Sequence, residues 1–83
     1  MAVKADHAVD TTGLVCPQPM LAAQRAMKAM RLGEVLELVS TDVGSRMDIP
    51  AWCERTGNEL VQKFDDGKTF RYLICKRRNA KRK

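Results

Sequence analysis

Pro17 and Pro19 stand directly before residues 20–30, a run built from Ala, Leu, Met, Gln, Arg and Lys, and this pairing limits how the chain folds more than any other feature. Those residue types favour helix. Proline is tolerated in a helix only in the first turn, where its missing N–H has no intrahelical acceptor anyway. A helix therefore begins at the prolines. Leu21, Ala23, Met27 and Met30 form its apolar stripe, and Gln24, Arg25, Lys28 and Arg31 its polar face. Gly33 is placed to cap its C-terminus.

Strand-like runs flank this helix. Residues 5–11 read as a first strand, and residues 34–41 alternate Leu36 and Leu38 against Glu37, with Val35 and Val39 adding β-branched character. A second helix follows, opened either by a capping box from Ser45 to Asp48 or by Asp48 itself with Pro50 in the first turn. Either start puts Ile49, Trp52 and Cys53 on one face, and Gly57 ends the helix. Residues 59–65 and 69–76 are two strands about Asp66-Gly67, a dipeptide suited to a type I′ hairpin. Phe70, Tyr72 and Ile74 share the face assigned to the core.

The order is β-α-β-α-β-β. Each helix links two strands as a right-handed crossover, so the expected fold is an α/β (α+β) two-layer sandwich: a mixed four-stranded sheet with both helices on one face and the other face comparatively open. With 83 residues the chain closes a single small core, which excludes two-domain enzymes and a deep substrate pocket. The reading is one domain over residues 1–78 and a basic, disordered tail over 79–83.

Net charge is +5, a value that first points to nucleic acid. Six of the 15 basic residues, however, fall within residues 76–83, where no acid lies, leaving nine basic against ten acidic residues in the body. The basic signal belongs to a tail. No apolar run approaches the roughly 20 residues that span a bilayer. Residues 1–10 hold one lysine and no apolar signal core, so a cytoplasmic location is expected. Three cysteines, Cys16, Cys53 and Cys75, are an odd number without a C-x-x-C pair, which argues against a disulfide framework and a zinc site alike. No metal and no cofactor is expected.

Cys16-Pro17-Gln18-Pro19 is the segment that carries chemistry. A cysteine at a helix N-terminus meets unpaired N–H groups and the positive end of the helix dipole, both of which favour the nucleophilic thiolate. The prolines stiffen that turn and remove two donors, leaving the N–H groups of Gln18 and Met20 to face the sulfur. The sole histidine, His7, lies in the first strand, so no Cys-His pair is in evidence and a hydrolase is disfavoured. Without a neighbouring resolving thiol, a thioredoxin-type cycle is disfavoured too. Cys53 beside Trp52 reads as core, and Cys75, alternating away from Ile74, as an incidental residue of the open face. Met20, Met27, Met30 and Met47 read as core fillers or a contact rim.

The run Thr11-Thr12-Gly13-Leu14-Val15-Cys16-Pro17-Gln18-Pro19, the helix after it, Gly33-Glu34, Asp42, Asp48-Ile49-Pro50 and Tyr72-Leu73-Ile74 together resemble the TusA (SirA-like) sulfur carriers over residues 7–77. Membership would imply that Cys16 accepts a persulfide sulfur from a cysteine desulfurase and passes it to a downstream relay protein, acting as a sulfurtransferase-type carrier through partner enzymes. Relatives feed tRNA wobble 2-thiouridine synthesis, with tRNA contacted indirectly, or sulfur oxidation or molybdenum-cofactor synthesis. The resemblance further implies a monomer, support of the motif by Pro17, Gln18 and Pro19, and partner docking over Met20, Gln24, Arg25 and Asp42. Gln18 stands where relatives often carry an acid, and Gln24 on a face that is often more basic.

A competing class is a small RNA-binding module that uses the basic tail and the open sheet face. Single-stranded RNA readers stack bases on strand aromatics. Here Trp52, Phe64, Phe70 and Tyr72 are the only aromatics, and most are needed inside.

Overall fold

The computed structural model describes residues 5–15 and 18–77. Its elements are β1 (His7–Thr11), α1 (Gln18–Ala29), β2 (Val35–Ser40), α2 (Ser45–Thr56), β3 (Glu59–Asp65) and β4 (Phe70–Cys75). The strands form one sheet in the order β1-β2-β4-β3. β1 runs parallel to β2, from His7 opposite Leu36 to Thr11 opposite Ser40. β4 is antiparallel to both β2 and β3. The expected two-layer α+β architecture with a mixed four-stranded sheet is thus the one observed.

Period-two alternation decides what each sheet face does. Leu36, Leu38, Phe70, Tyr72 and Ile74 point to the helices and are buried with Ala23, Met27 and Met30 of α1 and its following turn, and with Ile49, Trp52 and Cys53 of α2. The opposite face is less open than its sequence implies. Val35, Leu73 and Cys75 form a second buried cluster there, packed by Ala5 and Val61, while Arg71 Nε pairs with Glu37 at 2.9 Å. Cys75 does alternate away from Ile74, but it is buried.

Local chemistry departs from the sequence reading at five places. Leu21 is exposed, and Pro19 takes its place in the buried stripe beside Ala23 and Met27. Gly33 has a left-handed backbone (φ 89°) but does not cap α1, which ends at Ala29. It turns the chain into β2, and its N–H donates to the Lys76 carbonyl at 2.7 Å.

At the start of α2 neither proposed cap forms. The N-cap is Gly44, without a side-chain capping bond. Ser45 is already helical and donates its hydroxyl to the Asp42 carbonyl at 2.8 Å. Pro50 consequently lies past the first turn. Gly57 does end the helix, in a left-handed conformation (φ 80°). Its N–H reaches the Glu54 carbonyl and that of Asn58 the Cys53 carbonyl, the double closure of a Schellman motif.

The β3-β4 connection is not type I′. That turn needs positive φ at both central residues, and no non-glycine residue among those described has it. The connection spans residues 66–69, with Gly67 (φ 92°) the one left-handed residue. The Asp66 carboxylate accepts from the N–H groups of Lys68 and Thr69 at 2.9 and 2.7 Å, and these bonds hold its pKa below the usual carboxylate value.

Lys76 was expected in the solvated tail. It is instead 5% exposed, and its Nζ donates to the carbonyls of Met27 and Met30 at 2.5 and 2.7 Å. Arg77 is engaged too, through its N–H to Asn58 and its guanidinium to Glu59. Both residues are thus held by the folded body, and residues 79–83, read as tail, lie outside the described residues.

Candidate functional site

Because β1 and β2 are parallel and each is followed by a helix, both loops leave from the same end of the sheet, and α1 and α2 both start there. Thr11, Ser40, Phe70 and Asp65 stand in register at that end. Hydrogen bonds tie the two loops together. The Thr11 hydroxyl donates to the Val39 carbonyl at 2.5 Å, the Leu14 N–H to the Thr11 carbonyl at 3.0 Å, and the Gly13 N–H to the Thr41 hydroxyl at 2.9 Å. Gly13 turns through a left-handed conformation (φ 84°), which a side chain would strain.

Cys16 and Pro17 lie outside the described residues, but the residues on either side are placed. The Gln18 N–H donates to the Val15 carbonyl at 2.8 Å. That donor, expected to serve the sulfur, is therefore already engaged. Met20, the third residue of α1, lies in the first turn, where N–H groups have no intrahelical acceptor. Pro19 is buried under α1 and anchors its start.

Of the residues expected to dock partners, Met20 is half-buried and packs against the core. Gln24 and Arg25 are exposed on α1, and Asp42 is half-buried in the loop before α2. This loop is rigidly held. The Asp42 N–H donates to the Ser40 hydroxyl at 3.1 Å, and the Ser45 N–H and hydroxyl both reach the Asp42 carbonyl. Ser45 also shares a buried 2.8 Å hydrogen bond with the Tyr72 hydroxyl, joining the loop to the central strand. A Cβ on Gly44 would stand 3.2 Å from the Asp42 carboxylate, so the loop fits a glycine closely.

The sequence reading missed what surrounds the motif. Leu14, Val15, Leu21, Val43 and Met47 are five of the seven exposed large hydrophobic residues among those described, and all five belong to the loops and first helical turns at this one end. Met47 is 80% exposed, and Val15 and Val43 are each 64% exposed. Val43 and Met47 border a cleft of about 470 Å³ between α2 and the β3-β4 hairpin. Only the tertiary arrangement gathers them; the nearest sequence signal was Met47 as a rim residue.

The other thiols lie away from this end. Cys53 is 2% exposed, and burial pushes its pKa up to about 12. His7, at the far end of β1, pairs with Glu34 at 2.9 Å. Among the described residues no three His, Cys, Asp or Glu side chains gather as a metal site, and no helix is long and apolar enough to cross a membrane. Trp52, Phe70 and Tyr72 are each 2% exposed, which leaves Phe64 as the exposed aromatic and provides no stacking platform for RNA.

The family model described as "Sulfurtransferase TusA" matches residues 7–76. The chain is 42% identical over 71 residues to the "Sulfur carrier protein TusA" of Allochromatium vinosum, covering 86% of this chain and 93% of that one. It is 34% identical over 74 residues to the "Putative sulfur carrier protein YrkI" of Bacillus subtilis, covering 89% and 99%. The crystal structure of a SirA-like protein from Desulfitobacterium hafniense superposes with a TM-score of 0.74 at 22% identity, over 87% of this chain and 99% of that one. That last likeness speaks for the fold.

Proposed function

Since the chain belongs to the TusA family of sulfur carriers, we propose that it carries sulfur as a persulfide on Cys16. The thiolate attacks the terminal sulfur of a persulfide on a cysteine desulfurase. A new S–S bond forms at Cys16, the donor's S–S bond breaks, and the donor cysteine leaves as thiolate, so no external oxidant or reductant enters. A downstream relay protein then takes the terminal sulfur by the same exchange, in a route serving tRNA wobble 2-thiouridine synthesis.

The observation that supports a carrier is the gathering of exposed Leu14, Val15, Leu21, Val43 and Met47 around the motif. Several exposed apolar side chains at one end of a small protein mark a docking face. Such a face lets donor and acceptor proteins bring their own reacting groups to Cys16. Arg25 on the outer face of α1 and Asp42 in the adjoining loop add charge to it.

The test is mass spectrometry of the intact chain after incubation with a desulfurase and cysteine. The wild-type chain gains the mass of one sulfur atom and Cys16→Ser gains none, with an unchanged circular dichroism spectrum. Loading of the Ser variant would move the carrier role to another thiol.

A further inference from the structure

At the opposite end of the molecule, the C-terminal halves of α1 and α2 border a cleft of about 190 Å³ lined by Gln24, Lys28, Trp52, Thr56 and Lys76 among others, with no Asp or Glu in its wall. Two observations mark it as unfinished. Trp52 is 2% exposed, and its indole Nε1 is a buried side-chain donor with no partner; leaving such a donor unsatisfied is costly. Lys76 is 5% exposed and gives two of its three ammonium hydrogens to the carbonyls of Met27 and Met30. A third donor remains, and no carboxylate among the described residues forms an ion pair with it. A buried ammonium held only by carbonyl oxygens gains further from an anion that reaches its remaining hydrogen.

We propose that this cleft binds a carboxylate. A carboxylate offers two acceptor oxygens to complement the Lys76 ammonium and the Trp52 indole N–H, with the exposed side chains of Gln24 and Lys28 closing over it. Its single charge also suits the place. Two helix C-termini, each carrying partial negative charge, meet here, so a phosphate dianion is disfavoured relative to a monoanion. The site is separate from the sulfur-carrying end and independent of what that end does.

Trp52 is the only tryptophan in the chain, so its indole N–H gives one isolated cross-peak in a ¹⁵N correlation spectrum. Titration of the full chain with sodium acetate, sodium butyrate or a capped Gly-Glu-Gly peptide is compared with sodium chloride and inorganic phosphate at matched ionic strength. The expected result is a saturable downfield shift of the indole proton with the carboxylates and none with chloride. Binding of the free acids alone identifies a small metabolite-like ligand; equal binding of the peptide identifies an acidic side chain of a protein. Lys76→Gln keeps a donor for the helix carbonyls but removes the charge, and should weaken binding about tenfold or more, roughly 1.4 kcal/mol. Lys28→Gln, at an exposed position, tests the rim if the Lys76 variant does not fold, and should weaken binding about twofold. Absence of a saturable shift, tighter binding of phosphate than of acetate, or unaltered affinity in every folded variant would overturn the assignment.

Discussion

Cys53 is a thiol sealed into the core face of α2. Burial pushes the Cys53 thiol pKa up to about 12, so its nucleophilic thiolate is rare at neutral pH. Limiting iodoacetamide should therefore modify Cys16 well before Cys53, and peptide mapping of the product reads the order directly. Preferential modification of Cys53 would contradict its packing beside Trp52. The burial of Cys53, Trp52 and Ile49 was legible in sequence, because all three fall on one helical face. The fate of Lys76 was not. Composition records a charge next to other charges, whereas the carbonyls that hold it belong to residues 46 and 49 positions earlier.

Helix and strand identities were legible because periodicity reports which face is buried. How the elements begin and end was less so, since tertiary partners compete for the same groups. Ser45 shows why: its hydroxyl looks like a cap, but Asp42 and Tyr72 claim it. Ser45→Ala would leave the buried Tyr72 hydroxyl without its partner and should cost about 1–3 kcal/mol. Tyr72→Phe leaves the Ser45 bond to Asp42 intact and should cost less, about 1 kcal/mol. Urea denaturation of both variants distinguishes the two, and equal costs would mean the Ser45-Tyr72 bond is not what matters there. The β3-β4 turn carries a pH signature. The folded pKa of Asp66 lies below its ordinary 3.8, so the stabilisation is present above that value and is lost as pH falls through the lower folded pKa. Asp66→Asn should lower the melting temperature at pH 7 and flatten its fall below about pH 4, where protonation removes the same acceptor.

For the molecule as a whole, the element order and the two-layer architecture followed from sequence because two helical crossovers and one hairpin leave few arrangements of four strands. Two things were out of reach: the second cluster of Val35, Leu73 and Cys75, and the apolar rim, which exist only once separate loops are brought side by side. Deleting residues 79–83 should leave the melting temperature and sulfur loading unchanged. Lys76→Ala should cost about 2 kcal/mol, because two helix carbonyls lose a charged donor. A large loss on deletion of 79–83 would show that the tail belongs to the fold.

β1 sits at an edge of the sheet and pairs with β2 alone, and the Gly13 N–H that shapes the loop before Cys16 is bonded to Thr41, 28 residues further along. The loop before Cys16 therefore cannot take its shape until the second strand and the loop after it are in place. A nascent or partly unfolded chain exposes a cysteine but not the shaped face around it. Under the proposed carrier role, a donor protein that recognises this face discriminates folded from unfolded chains.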